Sequence, residues 1–217
     1  MKKRLLMILC CVFLLCCGGT LSGCSGELND YMKYELLIDG TYSIGLKEDY
    51  LESFTLEVSE YFVVPSITKT TNKIGKLYEK VPRNIEIPSF YKGKPITKIA
   101  DCGFSNENIE SITLPDSISQ IGVAAFYGAN LTEVNIPESV RTIEKYAFCE
   151  NNLSVLNIPD GIKQVEKYAF AKNSNLATVN LGSGIDCIDN GVFCGCDRLT
   201  SIVMPTNIHL IGNCAFV

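Results

Sequence analysis

From Pro82 to Val217 the apolar positions of this chain return at a fixed interval. The segments IESITLPDSISQIGVAAFYGAN from Ile109, LTEVNIPESVRTIEKYAFCENN from Leu131, LSVLNIPDGIKQVEKYAFAKNSN from Leu153, LATVNLGSGIDCIDNGVFCGCDR from Leu176 and LTSIVMPTNIHLIGNCAFV from Leu199 align column by column. An earlier copy, NIEIPSFYKGKPITKIADCGF from Asn84, carries an insertion around Tyr91 to Pro95. Phenylalanine marks the beat: Phe104, Phe126, Phe148, Phe170, Phe193 and Phe216 are 22, 22, 22, 23 and 23 residues apart. A repeat of this length, within about 20–29 residues, is the mark of a solenoid to which each copy adds one coil.

The columns predict the elements of a coil. Leu131, Val134 and Ile136 are apolar, and Glu133 and Asn135 between them are polar. That alternation predicts a short strand with Val134 and Ile136 facing inward. Proline follows in most copies (Pro88, Pro115, Pro137, Pro159, Pro205); lacking an N–H, it ends the ladder and turns the chain. Next come apolar pairs three apart, Ile118 and Ile121, Val140 and Ile143, Ile162 and Val165, Ile185 and Ile188. This spacing predicts a tight helical or 3₁₀-like turn. A small residue, usually Ala, precedes Phe in most copies, which lets successive rings stack without overfilling the interior. No single coil can bury these columns; stacking does so, with about six short strands in one parallel sheet at about 4.8 Å per coil.

The I-P-x-x-I-x-x-I-x-x-x-A-F pattern, clearest in VNIPESVRTIEKYAF and LNIPDGIKQVEKYAF, resembles the BspA-like (type-5) leucine-rich repeats of bacterial surface proteins. The resemblance covers residues 82–217. It implies a leucine-rich-repeat solenoid, β-rich with short helical or 3₁₀ turns, of a kind found on cell-surface and secreted proteins, several of them linked to adhesion. Two departures stand out. Gly182 replaces the usual proline, and the chain stops one residue after Phe216 without a polar cap, so the last turn is expected to fray.

Residues 24–81 form a tether followed by an N-terminal β capping region. YELLID-GTYSIGL places an Asp39-Gly40 turn between two alternating runs, a strong hairpin signal. Such a hairpin would cover the open end of the solenoid; in the resembling family a DGTYS-type segment often stands here. FTLEV and YFVV suggest further strands, and residues 66–73 (SITKTTNK) a polar loop. Residues 1–23 read as a signal peptide: Lys2, Lys3 and Arg4, then LLMILCCVFLLCC, then small residues. Leu21-Ser22-Gly23-Cys24 resembles a bacterial lipobox, which makes Cys24 the lipidated first residue of the processed chain and the protein an extracytoplasmic, membrane-anchored lipoprotein.

After that processing 16 Lys and Arg face 24 Asp and Glu, and no basic stripe remains. Nucleic acid is therefore an unfavourable partner, and membrane contact is expected from the lipid, without polybasic attraction. Composition adds little more. Six cysteines remain beyond Cys24, and Cys187, Cys194, Cys196 and His209 lack the close spacing of zinc knuckles. Cys102 and Cys214 fall two before a Phe, Cys149 and Cys194 just after one, so they read as small core residues. Neither a nucleophile–base pair nor a phosphate-binding glycine loop is recognisable. The expectation is a binding module, with no catalytic residue, metal or cofactor. Its candidate face is the outward strand columns, with Glu133, Asn135, Val155, Asn157, Thr178 and Asn180 at their centre. The expected partner is a protein or glycan of a host or neighbouring cell; a structural envelope lipoprotein and a solute-capturing lipoprotein are the alternatives.

Overall fold

The computed structural model describes residues 32–46, 55–56, 65–66, 83–105 and 109–217. Its strands are β1 (Met32–Leu36), β2 (Tyr42–Leu46), β3 (Thr55–Leu56), β4 (Pro65–Ser66), β5 (Asn84–Glu86), β6 (Phe90–Tyr91), β7 (Lys94–Ile99) and β8 (Ser111–Thr113). They continue with β9 (Gln120–Ile121), β10 (Thr142–Ile143), β11 (Val155–Asn157), β12 (Gln164–Val165), β13 (Thr178–Asn180), β14 (Cys187–Ile188), β15 (Ser201–Val203) and β16 (Leu210–Ile211). No helix occurs among the described residues. The leader, Cys24, the tether and most of the polar stretch 66–73 lie outside them.

The strands that alternation predicts are present. β5 pairs in parallel with β8, a single bridge joins Thr113 to Asn135, and β11, β13 and β15 continue in register. The middle residue of each faces the core: Ile85, Ile112, Leu156 and Val179 are buried, and Ile202 packs against them. Val134 is half-buried against the same cluster and Ile136 is buried, as the pattern requires.

The helical or 3₁₀ turn expected at the three-residue apolar spacing does not form; a second parallel ladder stands in its place. β7, β9, β10 and β12 pair side by side, and β14 pairs with β16. The first apolar residue of each pair closes a turn begun at the proline column: Ile118 N donates to Pro115 O, Val140 N to Pro137 O and Ile162 N to Pro159 O. The second sits in a two-residue strand. Turn plus strand brings both side chains inward and so imitates a helical period.

The Phe segment explains why no helix can start. Two residues before each Phe the backbone is left-handed, with φ of 54° at Cys102, 52° at Ala124, 59° at Tyr146 and Tyr168, 64° at Gly191 and 55° at Cys214. Two residues after it the backbone is left-handed again, at Gly128, Glu150, Lys172 and Gly195. Such φ values are unfavourable for residues with a Cβ and interrupt any right-handed helix. On every coil but the last they persist because the N–H groups of these positions and of Phe itself donate to the following coil, for example Tyr146 to Lys167 O, Phe148 to Ala169 O and Glu150 to Ala171 O.

The core is the stack of rings. Successive centroids from Phe104 to Phe216 are 5.6, 5.0, 5.2, 6.0 and 5.7 Å apart with nearly parallel planes. Phe104 to Phe193 are buried, while Phe216 on the last coil is 40% exposed. A second apolar seam runs outside the stack, built from Ala124, Tyr127, Tyr146, Cys149 and Ala171. Tyr146 and Tyr168 stack in it at 5.4 Å. Gly191 follows in that column because the Tyr168 ring occupies the place of its Cβ.

At the other end the Asp39-Gly40 hairpin forms as predicted, β1 antiparallel to β2. β2 then pairs in parallel with β7 and extends the second ladder. The insertion around Tyr91 to Pro95 is itself a hairpin of β6 and β7. Tyr91 locks the two hairpins together, stacking on Tyr34 at 3.8 Å and meeting Tyr42 edge-on at 5.1 Å. Further along, β3 pairs antiparallel with β4, one residue pair falling within FTLEV and the other just past YFVV.

Candidate functional site

The first ladder brings the outward columns into line. Val155, Thr178 and Ser201 are register partners, as are Asn157, Asn180 and Val203. Thr113 bridges Asn135, and Ser111 pairs with Asn84. Glu133, Asn135, Val155 and Asn157 are exposed, and Thr178 and Asn180 are half-exposed. The arrangement is a strip of amides, hydroxyls and the carboxylates of Glu86 and Glu133, interrupted by the exposed Val155 and Val203. Part of it is engaged already: Asn180 Nδ2 donates to Asn157 Oδ1 at 2.7 Å, and Ser111 Oγ donates to Asn84 Oδ1 at 2.7 Å. At its first edge Arg83 pairs with Glu110.

Two asparagines that the sequence did not single out hold the coils together from inside. Asn173 is fully buried and Asn151 nearly so. The Asn151 amide donates to Phe126 O at 2.7 Å and accepts from Leu131 N at 2.9 Å. Asn173 donates to Phe148 O and Phe170 O, each at 2.9 Å, and accepts from Leu153 N. Both stand three residues after a Phe. Cys196 takes that column in the next coil, its thiol directed at Phe170 O at 3.4 Å. The signal available in the sequence is the fixed offset from Phe, since an asparagine at a repeat end is equally at home in a solvated turn.

The expectation that the repeat-column thiols are small core residues holds for Cys149, in part for Cys102 and Cys194, and not for Cys214 on the uncovered last coil. Cys149 and Cys196 are buried, and Cys214 is exposed. Burial pushes Cys196 up to about 12 and Cys102 up to about 11, and raises Cys149 further. Such thiols are protonated at neutral pH and are poor nucleophiles. His209 is exposed on the last coil, and among the described residues no group of three or more His, Cys, Asp or Glu is placed to hold a metal.

A cleft of about 310 Å³ lies over β2, where Ser43 and Gly45 leave room between Lys33 and Glu35 on one side and Lys98 and Asp101 on the other. It is at the lower end of the size of small-molecule sites. Its charges are already compensated: Lys33 pairs with Glu35 at 2.9 Å and Lys98 with Asp101 at 3.2 Å.

A parallel β-solenoid with an exposed, largely polar ladder along one side defines a class, the repeat proteins that offer an extended surface. The BspA type leucine rich repeat region matches residues 97–217 in six copies, and the chain belongs to that family. No curated protein matches it. Among solved structures it is similar to a leucine-rich repeat protein from Bacteroides ovatus, at 26% identity and a TM-score of 0.63, over 87% of this chain and 49% of that one. It is also similar to a leucine rich repeat protein of T. pallidum, at 20% identity and a TM-score of 0.56, over 84% of each chain. A third is a leucine rich cell surface protein from Faecalibacterium prausnitzii, at 20% identity and a TM-score of 0.56, over 92% of this chain and 52% of that one. The chain thus spans about half the length of the first and third.

Proposed function

We propose that the chain is a lipid-anchored, extracytoplasmic interaction module that recognises a protein or glycan of a host or neighbouring cell through its first ladder. The observation that carries this reading is the exposure of Glu133, Asn135, Val155 and Asn157 on successive coils, with Val155 and Asn157 in register with the half-exposed Thr178 and Asn180. Asparagine is a poor strand former, so its recurrence in one outward column calls for a reason beyond propensity. The lipobox-like Leu21-Ser22-Gly23-Cys24 supports the anchor. The family, and a neighbour described as a cell surface protein, support the location. No cofactor, metal or nucleic acid enters the reading, and it assigns no reaction. Capture of a small solute is the weaker reading, because the cleft beside Ser43 is small and its charges are satisfied internally.

The test is a binding screen of the processed protein against matrix proteins and glycan arrays, repeated with Asn135→Thr and Asn157→Thr. Recognition through the ladder predicts a hit that the two substitutions together weaken by about tenfold, or about 1.4 kcal/mol. A hit indifferent to both overturns the assignment of the face. The anchor is tested separately: Cys24→Ser abolishes incorporation of labelled fatty acid, and continued labelling rejects the lipobox.

A further inference from the structure

The hairpin end of the solenoid carries apolar side chains that the stack leaves in water. At the tip of the β1–β2 hairpin Leu36 is 60% and Ile38 109% exposed, and Phe90 on the adjoining β6–β7 hairpin is 58% exposed. The two hairpins are joined by Tyr34, Tyr42 and Tyr91 and by the side chain of Lys94 lying against the Gly40 turn. Lys92 extends over the Tyr91 ring at 5.3 Å. Among the described residues two acids belong to the β1–β2 hairpin. Glu35 is tied to Lys33, and Asp39 accepts from Thr41 N at 2.9 Å and Thr41 Oγ1 at 2.6 Å, which holds its carboxyl below the usual range. Exposed aliphatic and phenylalanine side chains, a cluster of tyrosines and long-stemmed lysines make the composition that settles at a lipid–water boundary.

Distance selects the occupant. Cys24 precedes Met32 by eight residues, so a lipid on Cys24 keeps the start of β1 within about 29 Å of the bilayer. A surface held that close meets the membrane at high effective concentration, and even shallow insertion is then favoured. We propose that the paired hairpins are a membrane-resting surface, with Leu36, Ile38 and Phe90 entering the boundary between headgroups and acyl chains while Lys92 and Lys94 remain among the phosphates. This rests on the lipid-anchor reading. It adds that the solenoid stands on the membrane by its hairpin end and so has a defined orientation.

The chain contains no tryptophan, so one introduced tryptophan is a clean reporter. Ile38→Trp and Phe90→Trp, in the lipidated protein reconstituted into vesicles of phosphatidylethanolamine and phosphatidylglycerol, should shift their emission to the blue and be quenched by lipids with brominated acyl chains. Val155→Trp on the first ladder should do neither. Water-like, unquenched emission at positions 38 and 90 overturns the proposal while fatty-acid labelling of Cys24 still holds. The chain beginning at Ser25 keeps every described residue but loses the lipid tether, so lipid at about millimolar concentration or above must stand in for it. A fraction should then float with the same vesicles, and Ile38→Asp with Phe90→Asp should reduce that by about tenfold or more. Unchanged flotation of the double variant also overturns it, whatever the outcome of the labelling.

Discussion

Asn173 carries more of the fold than any exposed residue of its coil. Its amide closes Phe148 O and Phe170 O and receives Leu153 N, all out of reach of water. Asn173→Ala leaves these groups without a partner, and each buried orphan costs about 1–3 kcal/mol. The expected loss in urea unfolding is therefore at least about 2 kcal/mol, against no more than about 0.5 kcal/mol for Asn175→Ala on the exposed side of the same turn. Equal losses would show that the amide is not holding the coils. The sequence displayed the column but not its role, since an asparagine that solvates a turn and one that stitches carbonyls share the same residue type. A second residue-scale expectation concerns alkali. Cys196 and Tyr146 are both pushed up to about 12 by burial. A raised pKa means that the unfolded chain releases its proton first, so the native state binds more protons between the two values and stability falls as pH rises. The loss should begin near the ordinary values of 9.0 for the thiol and 10.0 for the phenol and continue to about 12. Tm measured across that window should decline, and Cys196→Ala should soften the decline.

At the scale of the element, the Phe stack makes position along the solenoid matter. Phe148 has a ring 5.0 Å on one side and 5.2 Å on the other, whereas Phe216 has one ring neighbour, at 5.7 Å. Phe148→Ala should cost about 3–5 kcal/mol and Phe216→Ala clearly less, with Lys145→Ala within about 0.5 kcal/mol; equal losses at the two phenylalanines would contradict stacking. The outer seam is coupled in a different way. Gly191→Ala drives a methyl into the Tyr168 ring and adds a Cβ at a left-handed φ of 64°. Joined with Tyr168→Ala the clash disappears, so the double variant should be less destabilised than the sum of the singles, by about 0.5 kcal/mol or more. These elements were unequally legible. Strands such as Val155–Asn157 alternate over enough residues to declare themselves. The two-residue strands at Gln120–Ile121 and Thr142–Ile143 do not, because a turn bond at the preceding Ile118 or Val140 gives the spacing of a helix. Left-handed backbone at Tyr146 and Tyr168 leaves no trace in residue type, since glycine marks that column only at Gly191.

On the whole molecule, the sequence foretold a stack because periodicity is a property of the entire chain, and it foretold an outward face because strand alternation has two sides. What that face binds is not written in periodicity. The two asparagines at its centre separate structure from recognition, because their surroundings differ. Asn157 is fixed by an amide bond to Asn180 at 2.7 Å within a three-residue strand. Asn135 stands at the lone bridge to Thr113, where the ladder is thinnest. Threonine suits a strand better than asparagine and removes the amide. Asn157→Thr should therefore lose about 1 kcal/mol of hydrogen bonding, lowering Tm by roughly 2–4 °C, while Asn135→Thr should leave Tm unchanged or slightly raised. If the column serves the fold alone, neither substitution will change affinity for the partner found in the screen well below Tm, and only Asn157→Thr will move Tm. If the column serves recognition, both substitutions will weaken binding although only one moves Tm, and Asn135→Thr becomes the decisive variant. Unchanged affinity in Asn135→Thr, with Val155→Asp equally silent, would remove the first ladder from consideration and direct the search to the hairpin around Tyr91 to Pro95.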